Sequence, residues 1–100
     1  MPVNGETYEF TKSNVDLSPD KPGVYALLVN GGVIYYGEAH AGTIRERLQR
    51  HQSGREGACT QKATHYKREV CADPEAREEE LLAAFKSNYG KLPRCNDRAS

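Results

Sequence analysis

Gly23-Val24-Tyr25-Ala26-Leu27-Leu28-Val29-Asn30-Gly31-Gly32-Val33-Ile34-Tyr35-Tyr36-Gly37 consists of two β-rich runs around a turn signal. Branched and aromatic side chains suit a pleated, half-buried surface, and Asn-Gly supplies the positive φ that a tight hairpin needs. The stretch therefore predicts a β-hairpin. Two registers are open. A two-residue Asn30-Gly31 turn pairs Tyr25 with Tyr36, whereas a three-residue loop pairing Val29 with Val33 puts Tyr25 and Tyr35 on one face.

Upstream, Ser18-Pro19-Asp20-Lys21-Pro22 is a breaker that sets off residues 1–22 as a lead-in, with an edge strand expected over Thr7–Phe10. Downstream, Ile44 and Leu48 recur at helical spacing, which predicts a helix from Gly42 or Thr43 to about Gln52. Arg47, Arg50 and His51 then lie within one turn on one side of it. Residues 57–63 read as a short helix or turn, and residues 64–71 as a third strand. Asp73 before Pro74 is an N-cap followed by proline at the first helical position, and Gly90 stands where a left-handed C-terminal residue belongs. A helix from Pro74 to about Tyr89 follows. On it Leu81, Leu82, Phe85 and Tyr89 form an apolar stripe with Glu78 at its centre, while Glu79 and Glu80 point elsewhere. An inward carboxylate is costly unless it is paired, protonated or bound to a cation.

A chain of 100 residues can bury one core, and these elements predict one α+β domain: a small three-stranded antiparallel sheet flanked by helices. No apolar run approaches the roughly 18 residues that span a bilayer, and Met1 to Phe10 lack the basic start and apolar run of a signal peptide. A cytoplasmic protein is expected, with Cys59, Cys71 and Cys95 as reduced thiols, since no CxxC pair or nearby histidine completes a zinc clamp. Net charge is zero, but residues 1–43 sum to −3, 44–70 to +4, 71–80 to −4 and 81–100 to +3. A basic centre inside a neutral chain suits a local phosphate-binding face.

Taken together, these segments resemble the GIY-YIG nucleases. Gly23-Val24-Tyr25 is similar to the first motif and Tyr35-Tyr36-Gly37 to the second, with Tyr36 in place of the usual aliphatic residue. Arg47-Leu48-Gln49-Arg50-His51 resembles the family's Arg-Leu-x-x-His, Glu78 its metal-binding glutamate, and Pro93-Arg94-Cys95-Asn96 its closing Pro-x-x-Asn. The resemblance implies a nuclease domain over residues 23–96, followed by a tail over 97–100. It also implies the three-residue hairpin loop, because Tyr25 and Tyr35 must share a face. By the same resemblance, Tyr25 is the general base or its hydrogen-bonded helper, Tyr35 orients water and phosphate, and Arg47 holds the scissile phosphate. His51 assists proton transfer or fixes the phosphate, Glu78 binds Mg²⁺ or Mn²⁺, and Asn96 orients part of the site. Two alternatives stay open, namely Glu79 or Glu80 as the metal ligand and Tyr36 in place of Tyr35.

The expected partner is nucleic acid, DNA before RNA and single-stranded or branched DNA first, with no membrane. Arg50, Arg55, Lys62, Lys67 and Arg68 are the candidate contacts to it. The competing readings are a binding module of the same fold that does not cut, and a small domain held by zinc on the cysteines and His65.

Overall fold

The computed structural model describes residue 3 and residues 5–96. Its elements are β1 (Tyr8–Glu9), α1 (Lys12–Asp16), β2 (Gly23–Val29), β3 (Gly32–Ala39), α2 (Ile44–Gln52), α3 (Ala58–Gln61), β4 (His65–Val70) and α4 (Pro74–Tyr89). All strand pairs are antiparallel, in the order β1-β4-β2-β3. The sheet thus has four strands, not three, because Tyr8 and Glu9 cover the edge of β4. Their hold is aromatic: the rings of Tyr8 and Phe10 pack at 5.6 and 5.7 Å from that of Tyr66. The tail expected over 97–100 lies outside the described residues.

The hairpin solves its register in a way that neither alternative anticipated. Its loop has two residues, since Val29 pairs with Gly32 around Asn30 (φ 49°) and Gly31 (φ 89°). Beyond that turn Leu28 faces Val33 and Leu27 faces Tyr35, so Ile34 is an extra residue in β3. Such a bulge advances the strand by one residue and moves every later side chain to the other face. Tyr35 is thereby brought to the side of Tyr25, as the family resemblance required, by a bulge and not by a longer loop.

Each face of the sheet has its own core. On one side Tyr25, Leu27, Ile34 and Tyr66 pack with Val15 of α1, Ile44 and Leu48 of α2, and Cys95. On the other, Val24, Ala26, Leu28 and Tyr36 pack with Leu81 of α4 and Val3. Fully burying one such aliphatic side chain contributes roughly 1.5–3 kcal/mol. Both long helices are started by side chains: the Thr43 hydroxyl accepts from the Glu46 amide while the Glu46 carboxylate accepts from the Thr43 amide, and Asp73 caps α4 ahead of Pro74. Gly90, at φ 78°, ends α4. Tyr89 departs from the expected stripe, being 67% exposed with its ring tilted against that of Phe85.

Two of the cysteines are bonded to each other. Cys59 on α3 and Cys95 near the C-terminal end of the described chain form a disulfide, and Cys71 is a free thiol. The expectation of three reduced thiols fails here because residues 36 apart in sequence become neighbours only through the fold. That pairing takes two of the three cysteines that a zinc-held domain would have used.

Candidate active site

Tyr25 is the floor of the site. It stands on central strand β2, only 1% exposed, with its ring laid over Gly37 of β3. A Cβ at position 37 would overlap that ring, and one at Gly23 would overlap the Glu69 carbonyl and the Ile44 side chain. Both motif glycines are thus explained by close approach. Burial, then the neighbouring Tyr35 hydroxyl, holds the Tyr25 phenol well above its usual range, with Arg47 pulling the other way. Tyr25 therefore keeps its proton at neutral pH in the metal-free protein.

His51 comes from the last turn of α2 and is also 1% exposed. Its Nε2 is 2.8 Å from the Tyr25 hydroxyl and its Nδ1 is 2.8 Å from the Thr60 hydroxyl. The half-buried Tyr35 ring stands 5.1 Å from the His51 ring and 6.2 Å from that of Tyr25. Tyr36, on the opposite face, packs edge-on to Phe85 of α4. Of the two tyrosines, Tyr35 is the one that shares the space of Tyr25 and His51. Arg47 lies one turn before His51, half-buried, with its charge acting on both Tyr25 and Glu78.

Glu78 is half-buried in the first half of α4, whereas Glu79 and Glu80 are exposed and Glu80 is engaged by Arg77 at 2.7 Å. Burial first, then the charges of Glu38, Glu79 and Glu75, push the Glu78 carboxyl above the usual range against the pull of Arg47. Glu38 was not anticipated from the sequence. Opposite Val24 in the β2–β3 ladder, it projects to the α4 side, and its carboxylate meets His40 Nδ1 at 2.9 and 3.0 Å. That hydrogen bond holds the imidazole of His40 above its usual range. Glu38, His40 and Glu75 place one donor atom each within 4.8 Å of one another. Of these three only Glu38 is half-buried, His40 and Glu75 being exposed, and Glu78 is not among them; the carboxylates of Glu38 and Glu75 add to the negative charge felt by Glu78, which a hard divalent cation would relieve.

Asn96 reaches the main chain of β3. Its side chain clamps the main chain of Tyr36, accepting from the Tyr36 amide (2.9 Å) and donating to its carbonyl (3.0 Å), while the Cys95 amide donates to the Ile34 carbonyl. It fixes the bulged stretch of β3 that presents Tyr35. The candidate contacts to nucleic acid do not form one surface. Lys67 pairs with Ala26 and Arg68 with Tyr25, so they lie on opposite faces, and the Arg68 guanidinium sits 4.3 Å from the centre of the Tyr8 ring. Arg50 binds Glu56 at 2.7 Å, and Lys62 is exposed on the turn after α3. Arg47, Arg50 and Arg55 do converge, on a groove along α2 that also includes Gly42 and Ser53.

With this geometry in hand, comparison with solved structures is direct. The chain matches crystal structures of the GIY-YIG N-terminal endonuclease domain of UvrC from Thermotoga maritima. The magnesium-bound form is 24% identical with a TM-score of 0.61, over 85% of this chain and 93% of that one. A tyrosine-to-phenylalanine point mutant bound to its catalytic divalent cation is 25% identical with a TM-score of 0.60, over 87% of this chain and 94% of that one. The chain is a GIY-YIG domain by fold. No protein-family model and no curated protein matches it by sequence. The GIY-YIG likeness therefore rests on three-dimensional structure and on the order of the short motifs.

Proposed function

We propose that this GIY-YIG domain is a metal-dependent endonuclease that hydrolyses phosphodiester bonds in nucleic acid, in DNA before RNA, with Mg²⁺ or Mn²⁺ at Glu78. The observation that carries this reading is the half-buried Glu78, crowded by Glu38 and Glu75, with Arg47 acting on it and on Tyr25 alike. The UvrC domains support it, since they hold a catalytic divalent cation even where a tyrosine has become phenylalanine. A carboxylate-held ion is the simplest account of both. Residues 23–96 would form the catalytic unit, with the lead-in adding β1 and α1 to its support.

When bound, the cation supplies positive charge for the departing oxygen. The chain's own residues do the rest. The Tyr35 hydroxyl orients the attacking water, and the Tyr25 hydroxyl passes a proton from that water to His51 Nε2, a transfer for which the 2.8 Å separation is suited. The Arg47 guanidinium takes the non-bridging oxygens of the scissile phosphate, its planar fork matching two of them. Arg50 and Arg55 extend that positive surface along α2 and hold the strand beyond the cut.

The reading is tested by incubating the protein with labelled single-stranded, duplex and branched DNA and with RNA, in Mg²⁺, Mn²⁺ or EDTA. Internal cuts in DNA that need the ion are expected. Binding without cutting in either metal would replace the nuclease with a binding module, and faster cutting of RNA would reverse the substrate assignment.

A further inference from the structure

We propose that Thr60 is a positioning residue that fixes the ring and tautomer of His51, and that the Cys59–Cys95 disulfide holds Thr60 in place, so that reduction of this bond loosens the site. The inference rests on the nuclease reading only for its effect on cleavage.

Thr60 is fully buried, and its hydroxyl lies 2.8 Å from His51 Nδ1. A buried imidazole has two neutral tautomers, and the partner of one nitrogen decides which proton the other carries. In the arrangement proposed, the Tyr25 hydroxyl donates to Nε2, and Nδ1 then carries the hydrogen that the Thr60 oxygen accepts. Nε2 is then left with a lone pair that can receive a proton through Tyr25. Without the Thr60 hydroxyl, Nδ1–H loses this acceptor, which lowers the preference for this ring orientation and tautomer.

What holds Thr60 is slight in itself. Helix α3 has four residues, and the residue that precedes it, Gly57, has no side chain with which to cap it. The residue before Thr60, however, is Cys59, and its disulfide partner Cys95 precedes Asn96. The bond therefore ties together the two segments that orient the site: α3, which fixes His51, and the C-terminal stretch, which clamps the β3 backbone beside Tyr35. A dithiol reductant would cleave the S–S bond by thiolate attack, leaving two protein thiols and the reductant's own cyclic disulfide.

The test reads the tautomer of His51 directly from the ¹⁵N chemical shifts of its ring nitrogens, alongside DNA cleavage, in wild type, Thr60→Val and Thr60→Ser, with and without a dithiol. Wild type is expected to show a protonated Nδ1 and an unprotonated Nε2. Thr60→Val should lose that single tautomer and about 10-fold or more of the cleavage rate, the scale at which losing the partner behind a metal-bound imidazole is felt. Thr60→Ser, which keeps the hydroxyl, should restore both. Dithiol should broaden or shift the His51 signals of wild type and leave a Cys59→Ser/Cys95→Ser variant unchanged. An unaltered tautomer in Thr60→Val, or a serine variant as impaired as the valine one, would overturn the role of Thr60. Unchanged His51 signals on reduction would overturn the brace. If the tautomer behaves as described and no variant cuts any substrate, the positioning role stands and the nuclease reading fails.

Discussion

At the scale of single residues, the site sets charges and hydroxyls where the core would otherwise be apolar, and this creates a conflict with stability. The Glu78 carboxyl is raised by burial and by its acidic neighbours, so its charged form is disfavoured in the folded chain. A folded pKa above the unfolded one stabilises at low pH, and that contribution is lost as pH rises through the carboxylate range. Glu78→Gln is therefore expected to melt at a higher temperature than wild type at pH 7 in EDTA. Millimolar Mg²⁺ should raise the melting temperature of wild type and leave that of the variant where it was. Glycine tells a similar story of close contact. Gly37→Ala should destabilise by about 1–3 kcal/mol, the usual cost of overpacking, and denaturant titration checks it. Glu38 and Thr60 escaped the sequence reading because nothing local marks them: one acts through α4 and the other through α2, both distant in the chain.

At the scale of elements, the local signals were sound and the non-local ones were silent. The Asn30-Gly31 turn and the Asp73-Pro74 start of α4 are short-range physics and stand where the residues indicated, and α2 begins next to the expected Gly42 or Thr43, with Thr43 as its cap. The bulge at Ile34 was not legible, because it answers to the faces of neighbouring strands and not to the residues beside it. Helix α1, with five residues, was too short to show a period. Two changes test this level. Thr43→Ala removes half of a reciprocal cap and should cost about 1 kcal/mol in denaturant unfolding. The Arg50–Glu56 pair ties α2 to the loop after it, and its hydrogen bond holds the Glu56 carboxyl below the usual range. A lowered carboxyl stabilises at neutral pH, and the gain fades as pH falls through the folded pKa. Glu56→Gln should thus lower the melting temperature slightly at pH 7, with the gap to wild type closing toward pH 3.

At the scale of the whole molecule, a neutral chain of 100 residues builds both an acidic cluster and a basic groove. The family resemblance was legible because five short motifs keep their order, and the three-dimensional match bears out the fold they imply. The disulfide and the fourth strand were not legible, since each joins distant segments. Among the described residues, no helix is long and apolar enough to cross a membrane. The central claim is that Glu78 holds the ion that makes this GIY-YIG domain a nuclease. It is tested most directly by cleavage of labelled DNA in Mg²⁺ by wild type beside Glu78→Gln, with both shown to be folded by circular dichroism. Metal-dependent cutting by wild type alone is the predicted result, and undiminished cutting by the folded Glu78→Gln protein would contradict it.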